Sequence, residues 1–364
     1  MKIVVLGTRG IPNIQGGVET HCQELYPRLV KLGCDVTVIT RKPYIQESSL
    51  KEYQGVKLKH IFTPKTKSLE AIIHTFLGVL YARLENPDIL HIHAIGPSLL
   101  VPFARLLGLK VVVTNHGPDY DRQKWGKLAK KMLILGEKLG TKYANKVIVI
   151  SNVINNILKT KYQREDCILI YNGVNIPTKS ISTKYIESLG LEKGKYIIAV
   201  GRFVEEKGFH DLINAYKKIN TNIKLVLVGD ADHESSYSIE LKKRAKENSI
   251  VLTGFIRNEK LNQIFSHAKL FVMPSYHEGL PIALLEAMSY NLDVLVSDIP
   301  ANLEVSLNYQ SYFKLRDIDD FKNKLEYKIT YSVKNDFKKK LKEKYNWGSI
   351  SRQTKSVYMK LSKK

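Results

Sequence analysis

Short, almost wholly apolar runs separated by longer amphipathic stretches constrain this chain more than any other feature. Lys2 to Leu6, Asp35 to Ile39, Val56 to Ile61, Ile89 to His93, Lys110 to Thr114 and Lys146 to Ile150 read as buried strands. The segments between them, such as Gly17 to Leu32 and Ser68 to Asn86, carry apolar residues at helical spacing. The pattern resumes at Tyr196 to Val200, Lys224 to Val228, Ile250 to Thr253, Leu270 to Met273 and Asp293 to Ser297, with helices at Gly208 to Ile219 and Ile282 to Tyr290. Strands buried on both faces and joined through helices make a parallel sheet. Two such series, with no short repeat relating them, predict two α/β domains of the doubly wound, Rossmann-like type. The turn formers in Tyr171-Asn172-Gly173-Val174-Asn175-Ile176-Pro177 place the boundary. Residues 1–173 are read as an N-terminal domain, 174–345 as a C-terminal domain and 346–364 as a last helix.

Composition agrees with a globular protein and excludes several classes. The 364 residues are enough for two cores, and 44% apolar with 25% charged residues is ordinary for a soluble chain. No apolar stretch reaches the roughly 18–20 residues of a membrane span. The opening Met1 to Gly10 reads as a strand and not as a signal peptide, so a cytoplasmic location is expected. Cys22, Cys34 and Cys167 are odd in number and widely spaced, which gives neither a disulfide framework nor a zinc motif. The net charge is +22. Residues 176–321 are close to neutral and the excess sits at both ends, which suits a polyanionic surface, either an acidic membrane leaflet or a nucleic acid. Simple solubilisation by lysine explains the tail equally well. From Arg122 to Lys146, basic residues alternate with Trp125, Leu128, Met132, Leu133 and Leu135, a pattern that fits either a helix on anionic headgroups or an ordinary amphipathic helix. No zinc finger, aromatic-glycine RNA-binding signature or basic heptad supports a nucleic-acid binder.

The loops after the strands hold the chemistry. In Pro274-Ser275-Tyr276-His277-Glu278-Gly279-Leu280-Pro281, one glutamate lies on a strand-to-helix loop, and Glu286 follows about a turn inside the helix. Alone, such a pair is more simply a cap and a solvated helix residue. Gly201-Arg202-Phe203-Val204-Glu205-Glu206-Lys207-Gly208 leaves another strand with two cations, one forked and one a point charge, as a diphosphate requires. A surface pairing of Arg202 with Glu205 is the simpler alternative. Gly16-Gly17 at a helix start exposes amides suited to an anion, but the spacing is neither a dinucleotide fingerprint nor a Walker loop. Asn115-His116-Gly117 also follows a strand. Three Asp-x-Asp pairs, Asp119 with Asp121, Asp230 with Asp232 and Asp317 with Asp319, have no third ligand nearby in sequence and give weak grounds for a metal.

Taken in order, these motifs resemble glycosyltransferase family 4, the retaining enzymes of the two-domain GT-B architecture. The likeness rests on Gly16-Gly17 with Glu19, His116-Gly117, Tyr171-Asn172-Gly173-Val174, Gly201-Arg202 with Glu206-Lys207-Gly208, Gly254-Phe255, Pro274-Ser275, Glu278-Gly279-Leu280-Pro281, Leu285-Glu286-Ala287-Met288 and Ser297-Asp298. The Gly-Thr-Arg-Gly-Ile-Pro opening, His116-Gly117 and Trp125 further resemble a bacterial surface-polysaccharide subgroup that includes rhamnosyltransferases. One departure is Asn291-Leu292-Asp293, where the family usually has Gly-x-Pro; Asn tolerates a left-handed cap almost as well as Gly.

The resemblance implies two Rossmann-like domains facing each other across a cleft that closes on the donor, with the final helix and Trp347 crossing back to the first domain. It implies that Arg202 and Lys207 hold the diphosphate, that Gly16 and Gly17 close on it, that Glu286 binds the ribose, and that Glu278, with Gly279 and Leu280 beside it, meets the transferred sugar. His116 would approach that sugar, Phe255 and Ile256 would lie by the base, and Asp119 would touch the acceptor. The implied reaction is front-face transfer from a nucleotide-diphosphate sugar to a saccharide acceptor linked to polyprenyl pyrophosphate. It would run at the inner face of the cytoplasmic membrane, where the protein would sit as a peripheral enzyme. No metal is expected, because the two cations do the work a metal does elsewhere. An inactive nucleotide-sugar-binding protein is the alternative.

Overall fold

The computed structural model describes residues 1–45, 50–64, 70–121, 126–231, 234–331 and 335–362. The chain divides into two compact units, one formed by Met1–Gly173 with Tyr345–Lys364 and the other by Val174–Lys344.

The first unit contains β1 (Lys2–Leu6), β2 (Asp35–Arg41), β3 (Glu52–Tyr53), β4 (Val56–Ile61), β5 (Ile89–His93), β6 (Val111–Asn115), β7 (Lys146–Val149) and β8 (Ile168–Leu169). They form one sheet in the order β3-β4-β2-β1-β5-β6-β7-β8, parallel throughout except where the short β3 turns back on β4. Helices Gly17–Lys31, Glu70–Glu85, Lys127–Tyr143 and Asn152–Tyr162 cover it. Every residue of β5 and β6 is buried, which is why these strands read as nearly unbroken apolar runs. The second unit contains β9 (Tyr196–Val200), β10 (Lys224–Val228), β11 (Val251–Leu252), β12 (Leu270–Met273), β13 (Asp293–Ser297) and β14 (Tyr312–Phe313). Its sheet is parallel in the order β11-β10-β9-β12-β13-β14.

Strand order reverses between β1 and β5 in the first unit and between β9 and β12 in the second. In an open parallel sheet the loops leaving the strands on either side of such a reversal run to opposite faces and leave a crevice. The reversals therefore single out the loops after β1 and β5, and those after β9 and β12.

The last helix, Trp347–Ser362, packs with Gly17–Lys31 on the first unit, where Ile350, Val357 and Tyr358 join the core of β1 and β2. Trp347 is 4% exposed and lies so close to Gly173 that a Cβ there would come within 2.5 Å of the indole. The unit boundary falls one residue before the sequence-based one. Tyr345 is buried and meets Tyr171 edge-on at 5.4 Å, so it belongs to the first unit.

Some edges differ from the sequence reading. β3, β8 and β14 have two residues each and leave no periodicity to read. The basic helix spans Lys127–Tyr143; Arg122, Lys124 and Trp125 lie outside the described residues. The lysine-rich end of the second unit forms a helix over Lys338–Lys344.

Replacing Trp347 with Ala should destabilise the first unit by about 3–5 kcal/mol, the usual cost of deleting a buried aromatic. Urea denaturation followed by circular dichroism measures it, and a loss of under about 0.5 kcal/mol, the range of surface changes, would show that the indole does not anchor the helix.

Candidate active site

In the second unit, the loop after β9 carries Arg202 and Lys207 and the loop after β12 carries Glu278. Two backbone features bind these loops together. Tyr276 N donates to Glu206 O at 2.9 Å, and Gly208, at φ 64°, lies so close to Pro274 that a Cβ would come within 2.1 Å of its carbonyl oxygen. Only glycine meets both demands, the left-handed conformation and the close approach. The result is a direct ion pair: Lys207 Nζ donates to Glu278 Oε1 at 2.5 Å, with side chains 19% and 11% exposed. Burial pushes the Glu278 carboxyl up, but the Lys207 ammonium outweighs it and holds the group below its ordinary value.

Glu286 lies inside the helix Ile282–Ser289, which begins after Pro281, and is half-buried. Leu280 is buried and its carbonyl accepts from Ile282 N at 2.9 Å, while Gly279 is half-buried. The helix ends with Asn291 at φ 52°, the left-handed cap where the family resemblance expects glycine. Arg202 is half-buried. Phe255 is 44% exposed beside Ile256 with the Arg257 guanidinium 5.0 Å from its ring centre, and Gly254 O accepts from Gly229 N at 3.0 Å, tying this loop to the end of β10.

In the first unit, the loop after β1 folds on itself. Gly16 has φ 147°, and a Cβ there would lie 2.1 Å from the Glu19 carboxylate and 2.8 Å from the Arg9 guanidinium. Glu19 Oε1 accepts from Arg9 N at 3.1 Å and Arg9 Nε at 3.2 Å, and Arg9 also donates to Gln15 O. Glu19 thus clamps the loop that presents Gly16 and Gly17, the latter exposed at the helix start.

His116 follows β6, and its Nε2 lies 2.9 Å from His93 Nδ1. Because β5 alternates its side chains, His91 and His93 share one face of the sheet. Tyr26 from the helix Gly17–Lys31 bonds to both, at 3.1 Å from His91 Nδ1 and closer to His93 Nε2, and Tyr358 from the last helix bonds to His91 Nδ1 at 2.5 Å. His21 Nδ1 donates to Asn172 Oδ1 at 2.6 Å. Burial first, and then neighbouring histidines, hold His21, His91 and His116 down to about 3 and His93 well below its ordinary value. All four rings are neutral at physiological pH.

Asp119 N donates to Gly117 O at 2.9 Å in the same loop. Behind it, the buried Glu137 accepts from Tyr120 and Tyr162 hydroxyls at 3.0 and 2.9 Å and from Asn115 Nδ2 at 3.4 Å. The sequence gives Glu137, His21 and His93 no site role and shows Asn172 only as part of the boundary turn. An alternating His-x-His in a strand and a glutamate on the buried side of a helix are visible signals, but their partners come from distant segments. None of the aspartate pairs gathers as a metal site among the described residues. Asp317 caps a helix by accepting from Asp320 N at 3.0 Å, Asp319 pairs with Lys218 at 2.7 Å, Asp230 pairs with Lys242 at 2.8 Å, and Asp232 is outside the described residues.

Comparison with known proteins agrees with this arrangement. Residues 15–177 match the Glycosyltransferase Family 4 model and residues 182–344 match the Glycosyl transferases group 1 model. These matches take in most of the chain, and the protein belongs to the glycosyltransferases of the GT-B fold. It is 26% identical to the uncharacterized glycosyltransferase MJ1607 of Methanocaldococcus jannaschii over 98% of each chain. It is 28% identical to the capsular polysaccharide biosynthesis glycosyltransferase CapH of Staphylococcus aureus, over 66% of each. Among solved structures, Alr3699/HepE of Anabaena in complex with UDP-glucose superposes with a TM-score of 0.81 at 18% identity, covering 99% of this chain and 100% of that one.

Lys207→Met should cost about 1–3 kcal/mol by leaving the Glu278 carboxylate buried without its cation. The pH dependence carries the sign. The folded pKa of Glu278 lies below the ordinary 4.5, so the pair's contribution is full above pH 4.5 and is lost as pH falls through the folded value. Denaturation of wild type and variant should therefore converge on acidification below pH 4.5, whereas a gap that stays constant to lower pH would refute the assignment.

Proposed function

We propose that this glycosyltransferase is a retaining enzyme that moves a sugar from a nucleotide-diphosphate sugar to a growing bacterial surface glycan carried on a polyprenyl pyrophosphate. The observation that carries the reading is the Lys207–Glu278 pair at the strand-order reversal of the second unit, within the group 1 match. A diphosphate brings more negative charge than one carboxylate and can replace Glu278 as the partner of Lys207, with Arg202 beside it. Glu278, released from the ammonium, then accepts from hydroxyls of the transferred sugar. Glu286 takes the ribose, Gly279 and Leu280 line the donor, and Phe255 with Ile256 flanks the base. His116 is assigned to the sugar, Gly16 and Gly17 to the donor diphosphate and Asp119 to the acceptor.

In this reading the leaving diphosphate is stabilised by Arg202 and Lys207 as charge builds on its departing oxygen, and that oxygen takes the proton of the acceptor hydroxyl on the same face. No metal is needed for the step. The relative CapH, named for capsular polysaccharide biosynthesis, and HepE, crystallised with UDP-glucose, support a surface-glycan product and a nucleotide-sugar donor. A rhamnosyl or hexosyl donor fits equally.

The membrane part of the reading has its own support. On the helix Lys127–Tyr143, Leu128, Ile134 and Leu135 are 75%, 44% and 45% exposed among the exposed lysines Lys127, Lys131, Lys138 and Lys142. Such a mixed basic and apolar face suits anionic headgroups, and among the described residues no helix is long and apolar enough to cross a membrane. Location at the inner face of the cytoplasmic membrane follows from the proposed acceptor.

Two measurements test the reading. A thermal-shift screen of nucleotide sugars identifies the donor by the stabilisation it confers. With that donor, Glu286→Ala should chiefly raise KM by about ten-fold, and Glu278→Ala should lower kcat by about 100-fold, as losing a contact used in the transition state does. The anomeric configuration of the product, followed by NMR, should match the donor's, and turnover should persist in excess chelator. Inversion, or activity restored only by manganese, would overturn the mechanism, and a protein that binds donor without releasing nucleoside diphosphate would be a binding protein only. Flotation on vesicles containing anionic lipid, lost on neutral ones, checks the membrane surface.

A further inference from the structure

One nitrogen from each of His21, His93 and His116 lies within 4.8 Å of the other two. The three rings form a nearly equilateral triangle, with centres 5.4 Å apart for His21 and His93, 5.0 Å for His21 and His116, and 5.2 Å for His93 and His116. Three imidazoles bound tetrahedrally to zinc at about 2.0–2.1 Å place their ring centres about 3.2 Å from the ion and so about 5.2 Å from one another. The triangle already has the size of a ligand set.

A second observation is independent of that spacing. Among the described residues, His21 Nε2 is buried and has no hydrogen-bond partner. Its other nitrogen, Nδ1, bonds to the side-chain oxygen of Asn172, which only accepts, so Nδ1 carries the proton and Nε2 presents a lone pair. Metal-bound histidines are held in this way, with the far N–H donated to a carbonyl or carboxylate. His93 Nδ1 and His116 Nε2 face each other across 2.9 Å with one proton between them. That proton has a destination, because His93 Nε2 faces the Tyr26 hydroxyl oxygen, which accepts when the proton sits on Nε2 and leaves Nδ1 free.

We propose that His21 Nε2, His93 Nδ1 and His116 Nε2 form a site in the first unit for one divalent ion of the zinc class. Three imidazoles suit zinc, cobalt or nickel and not magnesium or calcium, which prefer oxygen. The Trp347 ring stands edge-on to His21 at 5.6 Å. The site is inhibitory: this consequence rests on the role proposed for His116, whose Nε2 the ion would occupy. An enzyme that turns over without metal would then be slowed by one.

Tag-free protein stripped of metal and titrated with Co²⁺ tests the site directly. A visible absorption band of tetrahedral cobalt should saturate at one equivalent per chain and disappear on adding Zn²⁺. His21→Ala and His116→Ala, checked for wild-type circular dichroism, should each weaken zinc binding at least ten-fold, and Asn172→Ala by about 10–100-fold. Absence of stoichiometric binding to wild type, or unchanged affinity in either folded histidine variant, overturns the site. Should the variants not fold, zinc-induced shifts of the imidazole nitrogen resonances of wild type decide: shifts of these three histidines uphold it and their absence refutes it. Transfer should fall in proportion to bound zinc; full activity with the site filled refutes the inhibitory role. Failure to transfer any sugar even without metal would instead refute the transferase reading, and the cobalt spectrum would stand apart from it.

Discussion

The reversal of strand order in each parallel sheet is the constraint on which the rest depends. A parallel strand delivers its following loop to the carboxyl edge of the sheet, and helices close most of that edge. Between β1 and β5, and between β9 and β12, consecutive connections leave in opposite directions and the edge stays open. The Lys207–Glu278 pair sits at one such place and the histidine cluster near the other. Segments distant in sequence meet there because backbone topology brings them together, before any side-chain preference acts.

The two units handle charge in opposite ways. In the second, a cation and an anion are held together in a mostly buried pair, and the carboxylate stays ionised because its partner compensates for lost water. In the first, His21, His91 and His93 are buried, His116 is half-buried, all four stay neutral, and tyrosine hydroxyls, Thr114, Asn172 and the His93–His116 contact satisfy most of their nitrogens. Neutral imidazoles donate and accept hydrogen bonds without disturbing the charge of a ligand, whereas an ion pair can exchange one anion for another.

Much of the scaffold is legible in the sequence because buried parallel strands announce themselves. β1, β4, β5, β9, β10, β12 and β13 coincide with apolar runs, and Gly208, Gly16 and Asn291 stand where the backbone needs left-handed or close-packed positions. The short β3, β8 and β14 carry no such signal, and Tyr345 belongs to the first unit through an edge contact with Tyr171 that no local pattern encodes. At the site, motif spacing brought Lys207 and Glu278 into view as separate groups. Their union depended on Gly208 meeting Pro274, which is a tertiary fact. The roles of His21, His93 and Asn172 stay hidden for the same reason: Asn172 reads only as a turn former and the histidines as strand or helix residues, and the chemistry arises when a helix, a strand and the end of the unit converge.

That convergence also explains why the first unit needs the end of the chain. Trp347 covers Gly173 and touches His21 edge-on, so the residues flanking Asn172 are held by a segment far along the sequence. Asn172 in turn fixes the tautomer of His21 by accepting its Nδ1 proton. Loosening the indole would therefore act in two places, on the core shared with Ile350 and Tyr358 and on the orientation of an imidazole. Packing and proton placement are coupled here through one residue pair, because the same chain turn that admits the indole carries the amide that orients the ring.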